Sequence, residues 1–145
     1  MTNPTQIHKL DSLLEPELSY KIQGIFFDVF NKYGNVFKET IYQKVLEEEL
    51  IKQGVSFVSQ KPITIYSLES GKRIGTYTPD FVIDDKIIIE IKAQPQLYRN
   101  DEIQLVSYLK ASKYEIGYIV NFGSKNLEFR RRIYTNDRKP IRVLV

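Results

Sequence analysis

The sequence contains no cysteine and only one histidine, His8, and these two scarcities exclude several kinds of chemistry. A chain without thiols has no cysteine nucleophile, and a lone histidine cannot complete a zinc site of the Cys/His type. Any metal ion held by this protein must therefore be bound mainly through oxygen atoms, which are the donors that hard cations such as Mg²⁺ prefer.

Long hydrophobic runs are also absent. No apolar stretch could span a bilayer, and the opening MTNPTQIHKL lacks the basic-then-apolar design of a secretory signal, so we expect a cytoplasmic protein with no membrane contact. A chain of 145 residues has the size of one domain and can bury a core unaided. We expect a flexible N-terminal segment over residues 1–15 and a single domain over residues 16–145.

Acidic residues are scarce near the end of the sequence. Residues 125–145 contain seven basic and two acidic side chains, so this segment carries +5 and the rest of the chain carries −2. Such a basic end predicts contact with a polyanion. The alternative is a solvated strand edge that its charges protect from aggregation. The basic residues are Lys125, Arg130, Arg131, Arg132, Arg138, Lys139 and Arg142.

The spacing of apolar residues predicts a fold of the α/β (α+β) class, with a mixed β-sheet flanked by helices. Helical periodicity predicts helices over residues 16–32, 38–53 and 101–112. In the third helix, Ile103, Val106 and Leu109 are expected to face inward. Shorter periods and turn residues predict strands over residues 55–58, 63–68, 73–77, 81–83, 86–92, 116–121, 127–134 and 141–144.

The chemically most informative stretch is TPDFVIDDKIIIEIKA, in which Asp80 opens one predicted strand and Glu90 and Lys92 close the next. Because side chains alternate along a strand, Glu90 and Lys92 point to the same face. A turn at Asp84 and Asp85 would pair the two strands as a hairpin and bring Asp80 opposite the end of the second strand. All three groups then meet.

Two carboxylates beside a lysine have a clear chemical use. They can bind Mg²⁺ or Mn²⁺, which polarises a phosphodiester and lowers the pKa of bound water. Lys92 can orient that water and offset the charge that builds on the phosphate. The alternative is an ordinary surface salt bridge between Glu90 and Lys92. The isoleucines around Glu90 instead favour an interior strand, where burying an unpaired charge is energetically costly.

Two pairs of helical residues could belong to the same site. Glu39 and Tyr42 lie one turn apart on the second predicted helix, as do Gln104 and Tyr108 on the third. We predict that Tyr42 and Tyr108 line a pocket there. The alternatives are that Glu39 is an acid favoured by the helix dipole, and that Gln104 and Tyr108 mark a polar boundary between core and solvent.

The stretch GNVFKETIY, residues 34–42, resembles the signature of the GxxExxY protein family, which is a group of small bacterial and archaeal proteins assigned to the PD-(D/E)XK nuclease superfamily. The segments YKIQGIFFDVFNKYG, PDFVIDDKIIIEIKA, DEIQLVSYLKAS and GYIVNFGSKNLEFRRRIY resemble the rest of that family in order and spacing, so the resemblance covers about residues 18–134. Val36 is a departure, because the family usually has a second glycine there.

The resemblance implies a restriction-endonuclease-like core of the PD-(D/E)XK type and a metal site that extends beyond the hairpin. By this likeness Glu39 and Gln104 join Asp80, Glu90 and Lys92. Glu39 would bind the metal directly or through water, and Gln104 would position Lys92 or the water. The metal ligands are then expected to be Asp80, Glu90, Glu39 and the backbone carbonyl of Ile91.

Three functional hypotheses follow. The first is a Mg²⁺-dependent phosphodiesterase that cuts DNA or RNA, with Arg130, Arg132 and Lys139 contacting phosphates while Arg131 faces away. The second is a nucleic-acid-binding module of the same fold that does not cut, as a subunit of a defence or repair complex. The third is a protein-interaction role, which the many aromatic residues would support if they were not at core spacing. The sequence leaves the oligomeric state undecided between a monomer and a homodimer, because cutting both strands of a duplex often takes a pair of domains.

Overall fold

The structure, a computed structural model, describes residues 14–140. Within this range the helices are α1 (Pro16–Tyr33), α2 (Glu39–Lys52) and α3 (Arg99–Lys110). The strands are β1 (Phe57–Ser59), β2 (Ile63–Tyr66), β3 (Arg73–Tyr77), β4 (Phe81–Ile83), β5 (Ile87–Lys92), β6 (Ile116–Asn121) and β7 (Glu128–Ile133), and a 3₁₀ helix covers Asn136–Arg138.

These elements confirm the predicted fold class, and each predicted boundary in the described range lies within two residues of the observed one. The strand predicted over residues 141–144, and nearly all of the segment predicted to be flexible, lie outside the described residues. None of the helices in residues 14–140 is long and apolar enough to cross a membrane.

The central feature is a mixed five-stranded sheet in the order β1-β4-β5-β6-β7. Among the strands of residues 14–140, β5 and β6 are the one parallel pair, and α3 forms the crossover between them. The neighbouring pairs β1–β4, β4–β5 and β6–β7 are antiparallel. Strands β2 and β3 form a separate antiparallel hairpin. The β4–β5 pairing is the hairpin that the turn at Asp84 and Asp85 predicted, and both of these residues have a positive φ.

Helices cover both faces of the sheet. Ile87, Ile89 and Ile91 of β5 belong to the core that α1 and α2 close, whereas Ile88 belongs to the core under α3. Burial on both faces explains why IIIEIK is nearly continuous in β-branched residues. Since side chains alternate along β5, Glu90 points to the same face as Ile88, which is the face that α3 covers.

The buried face of α3 differs from the prediction. Leu105 and Leu109 are the buried residues, whereas Ile103 is half exposed and Val106 only partly buried. The cause lies on β6, where a Cβ added to Gly117 would stand 2.7 Å from Leu105 Cδ1. Because Gly117 has no side chain, Leu105 fills the space above it. The surface of β6 therefore determines which apolar residues of α3 are buried.

The loop between α1 and α2 requires a glycine at one of the two positions in the family motif. Gly34 has a φ of 67°, a conformation that side chains rarely adopt. Val36 is not among the residues with positive φ, and its side chain is 81% exposed. The departure at Val36 is therefore compatible with this loop.

Candidate active site at the end of the sheet

The β4–β5 hairpin brings Asp80 and Glu90 together. Phe81 pairs with Ile89, so the residue before Phe81 lies opposite the residue after Ile89. Asp80 Oδ2 accepts a hydrogen bond of 2.7 Å from the Ile91 amide, which fixes the carboxylate against β5. The predicted meeting of the two carboxylates at one sheet end is thus seen in the structure.

Glu90 has one carboxylate oxygen that no hydrogen bond satisfies. Its Oε1 is buried and has no hydrogen-bond partner within the described part of the chain. Burial, with a smaller contribution from the charge of Asp80, raises the pKa of Glu90 to about 7 against the opposing effects of hydrogen bonding with Tyr77 and the charge of Lys92. A buried oxygen without a hydrogen-bond donor is costly, so Oε1 has a lone pair available to a cation.

Glu39 reaches the same site from the other side of the sheet. Burial raises the pKa of Glu39, the charge of Asp80 raises it further, and the charge of Lys92 lowers it. Burial likewise raises the pKa of Asp80. The first residue of α2 therefore shares an electrostatic environment with the hairpin carboxylates, and three acids surround one lysine.

Lys92 is not held in an ion pair. None of the ion pairs between residues 14 and 140 includes its ammonium group. The alternative of a salt bridge between Glu90 and Lys92 is therefore not what the structure contains.

The oxygen donors at this site fit a divalent cation. No group of three or more acidic or histidine side chains in the described residues is arranged to hold a metal ion by itself. Asp80 and the unsatisfied oxygen of Glu90 nevertheless offer two carboxylates of the kind that Mg²⁺ binds, and Mg²⁺ usually retains several water molecules. A pair of carboxylates with Glu39 acting through water suits that cation better than a complete protein cage.

Tyr108 of α3 lies beside the site, and Gln104 lies one turn earlier on the same helix. Tyr108 stacks on Tyr77, with their ring centroids 3.5 Å apart, and Tyr77 in turn interacts with Glu90. Tyr108 thus supports the wall of the site. Gln104 is exposed one turn before it, and in residues 14–140 its side chain makes no hydrogen bond to Lys92 or to the carboxylates.

Tyr42 is a core residue and not part of a pocket, so that prediction is corrected. Its ring is fully buried and stacks on Phe122 with the centroids 4.7 Å apart. Its hydroxyl donates a 2.5 Å hydrogen bond to the carbonyl of Gly34. The physical role of the motif tyrosine is to fasten the loop before α2, which places Glu39.

Arg130 and Arg132 share a face of β7, as predicted from strand alternation, and both pair with Glu102 of α3. Arg131 points to the opposite face, where it donates to the Leu14 carbonyl and to Ser19 Oγ. Only two members of the arginine triplet can therefore serve one nucleic-acid surface.

Lys139 does not lie on that surface, which corrects its predicted role as a phosphate contact. The residue is only 6% exposed, and its ammonium donates to the carbonyls of Ser112 and Tyr114, each at 2.8 Å. Burial lowers the pKa of Lys139 to about 8. This lysine ties the end of the described chain to the loop after α3.

Sequence reasoning missed a polar clamp at the end of β6. Asn121 is fully buried, and its amide group exchanges hydrogen bonds of 3.0 and 2.9 Å with the backbone of Gln94. Phe122 N donates to the Lys92 carbonyl at 2.9 Å. A Cβ on Gly123 would stand 2.4 Å from Gln94 N. The clamp fixes the backbone directly after Lys92, and the polar residue that ends the apolar run IGYIVNF was its signal.

Gln60 was also missed. Its side chain donates to Asp80 Oδ1 at 3.3 Å, and its backbone N–H donates to the Asp80 carbonyl at 3.1 Å. Gln60 has a positive φ of 54°, which the sequence does not signal.

This geometry combines a mixed sheet with two carboxylates and a lysine at the end of one hairpin. Comparison with known proteins assigns the chain to a family. Residues 16–133 match the family model described as the PD-(D/E)XK nuclease superfamily. The chain therefore belongs to the PD-(D/E)XK nuclease superfamily. Its more specific likeness to the GxxExxY family stays a prediction.

Among solved structures, the crystal structure of SSO0001 resembles this protein in fold. The two are 20% identical, with a TM-score of 0.54 over 66% of this chain. The chain spans half the length of that protein, and the likeness concerns the fold alone. Among curated proteins, none is similar in sequence to this chain.

Proposed function

We propose that this protein is a Mg²⁺-dependent phosphodiesterase that cleaves DNA or RNA, with Mn²⁺ as a substitute ion. The observation that carries the proposal is the buried Oε1 of Glu90, which lies beside Asp80 and has no hydrogen-bond partner within residues 14–140. Lys92 forms no ion pair within the same residues. A chain of the PD-(D/E)XK superfamily with this arrangement has the donors for a hydrolytic metal centre and a cation placed to act with them.

The ligands in this proposal are Asp80, Glu90 and the Ile91 carbonyl, with Glu39 binding through water. A divalent ion bound there would polarise the phosphodiester and lower the pKa of the attacking water. Asp80 is held by the Ile91 amide and Glu90 is braced by Tyr77, so both carboxylates are oriented in advance.

Lys92 would orient the attacking water and stabilise the charge that develops on the phosphate. Its free ammonium and the fixed backbone after it support this role. Gln104 stays in the proposal as a group that positions the water. Its exposed place one turn before Tyr108 is compatible with closing onto the site when substrate binds, since such contacts often tighten only in the complex.

The test is to incubate the purified protein with labelled single- and double-stranded DNA and RNA in Mg²⁺, Mn²⁺ or EDTA. We expect cleavage of at least one substrate in Mg²⁺ and Mn²⁺ and none in EDTA. The control is Glu90→Gln, which keeps the shape of the side chain and removes its charge. Cleavage that survives in EDTA or in Glu90→Gln would contradict the proposal. Binding without cleavage under every condition would favour a non-cutting nucleic-acid-binding module.

A further inference from the structure

Two arginines of β7 converge on a single carboxylate. Arg130 Nε lies 3.1 Å from Glu102 Oε1, and Arg132 Nη2 donates to the same oxygen. Each guanidinium also donates to the carbonyl of the residue before it, Phe129 or Arg131 respectively. The two cations are therefore fixed in place around one anionic oxygen, and this is the geometry that a phosphate oxygen requires.

The cluster remains open to solvent. Arg130 is 41% exposed, Arg132 37% and Glu102 27%. Ion pairs as exposed as these contribute little to stability, so stability alone does not account for two arginines on one carboxylate. An incoming anion could reach both guanidinium groups from the solvent side.

Sheet register places the cluster near the candidate active site. Glu90 pairs with Ile119, and Ile119 pairs with Arg130, so Glu90 and Arg130 stand in one row across three strands. Neighbouring strands are about 4.8 Å apart, which puts the two backbones roughly 10 Å from each other on the same sheet face. A nucleic acid held at the catalytic carboxylates would have further phosphates within reach of the arginines.

We propose that Glu102 is a built-in phosphate mimic, which occupies a phosphate site formed by Arg130 and Arg132 until a nucleic-acid phosphate displaces it. This inference rests on the proposed function and adds a device that regulates binding. The displaced side chain of Glu102 can turn into an adjacent surface hollow of about 280 Å³, which is also lined by Arg99. Arg99 is three residues earlier on α3, within reach as an alternative partner.

The device would suppress weak, non-specific binding. A substrate must replace two ion pairs before it gains two phosphate contacts, so only nucleic acids that also engage the rest of the surface gain affinity. Removing the charge of Glu102 should therefore tighten binding in general.

The test compares Glu102→Gln with Glu48→Gln. Both changes remove one negative charge, but Glu48 is an exposed residue of α2 and does not contact the arginines. Binding of labelled DNA and RNA is measured in EDTA over a range of salt concentrations. We expect Glu102→Gln to bind about two- to thirtyfold more tightly at low salt, the range that two exposed ion pairs represent.

A second arm makes the assignment specific. In an Arg130→Gln, Arg132→Gln background, adding Glu102→Gln should no longer tighten binding, and melting curves would show that each variant is folded. Equal affinity of Glu102→Gln and Glu48→Gln would overturn the phosphate-mimic inference, as would weaker binding by Glu102→Gln. If Glu102→Gln gives either of these results while the wild-type protein binds nucleic acid, the phosphate-mimic inference fails and the proposed function stands. If neither wild type nor Glu102→Gln binds any nucleic acid, both proposals fail.

Discussion

Burial of Glu90 at the end of β5 disfavours its ionised form, and the nearby charge of Asp80 adds to that effect. A glutamate placed only for stability would have each oxygen hydrogen-bonded or exposed. Here Oε1 is buried and unsatisfied, while Asp80 is fixed by the Ile91 amide. In the proposed function, a bound cation offsets this unfavourable arrangement of the two acids.

The substitution Glu90→Gln tests this trade-off. We expect divalent-ion binding to be lost, because one of two carboxylate ligands becomes a neutral amide. The melting temperature without metal should be unchanged or higher, because a buried charge next to Asp80 is removed. Calorimetric titration with Mn²⁺ and thermal melts in EDTA provide the measurements. Wild-type Mn²⁺ affinity in Glu90→Gln would mean that the metal site lies elsewhere.

Lys139 provides a prediction of pH dependence. Burial, with a smaller contribution from the charge of Arg138, lowers its pKa from 10.5 to about 8 in the folded protein against the opposing charge of Glu115. Below pH 8 both states hold the proton and the folded state bears the full cost of burying the ammonium. Between about pH 8 and 10.5 the unfolded state binds more protons, so the free energy of unfolding rises with pH.

The comparison is with Lys139→Met, which has no titrating group and a similar length. Urea denaturation from pH 7 to 10.5 should show wild type gaining stability relative to Lys139→Met as the pH rises through 8. The neutral amine keeps two N–H donors for the Ser112 and Tyr114 carbonyls, so the contacts survive deprotonation. A difference that stays constant or falls over this range would show that the ammonium is not buried as described.

At the scale of elements, the hairpin of β4 and β5 was predictable from sequence and the clamp beside it was not. Turn residues at Asp84 and Asp85 and alternation along IIIEIK sufficed to bring Asp80, Glu90 and Lys92 together. The clamp needs a contact between Gly123 and Gln94, which only the parallel pairing of β5 with β6 creates. Asn121 signals a buried polar contact within its apolar run, but no local pattern identifies Gln94 as its partner.

The same limit explains the errors on α3 and at Lys139. Helix α3 has apolar residues on more than one side, and the space above Gly117 decides that Leu105 is buried while Ile103 is not. The side chain of Lys139 turns inward because the loop after α3 offers it two carbonyls. Charge composition alone could not distinguish it from the solvent-facing arginines.

Gly123→Ala tests the clamp, and Gly24→Ala in α1 serves as a control. The two changes are expected to shift the free energy of unfolding in opposite directions. Gly123→Ala places a Cβ 2.4 Å from Gln94 N, and we expect a loss of about 1–3 kcal/mol in the free energy of unfolding. Gly24→Ala in α1 meets nothing within 4 Å and should stabilise the protein by about 0.5–1 kcal/mol. Denaturant melts of both variants are the measurement. A stable Gly123→Ala protein would show that the backbone after Lys92 is not tightly packed there.

At the scale of the whole molecule, the topology explains why one sheet face can serve both chemistry and binding. Glu90 and Lys92 on β5 and Arg130 and Arg132 on β7 point to the face that α3 covers. Helix α3 begins soon after Lys92, so its first turn with Glu102 lies near the end of the sheet that holds Glu90 and Lys92. The crossover helix pairs with both arginines through Glu102 and stacks on Tyr77, the neighbour of Glu90, through Tyr108.

The role proposed for Lys92 in phosphodiester cleavage is measured most directly by single-turnover cleavage with Lys92→Ala in Mg²⁺ at saturating protein. Lys44→Ala on an exposed position of α2 is the matched control. We predict that Lys92→Ala stays folded, binds substrate within a fewfold of wild type, and cleaves about 10² to 10⁴ times more slowly. Lys44→Ala should cleave like wild type. Cleavage at the wild-type rate by folded Lys92→Ala would contradict the catalytic role proposed for Lys92.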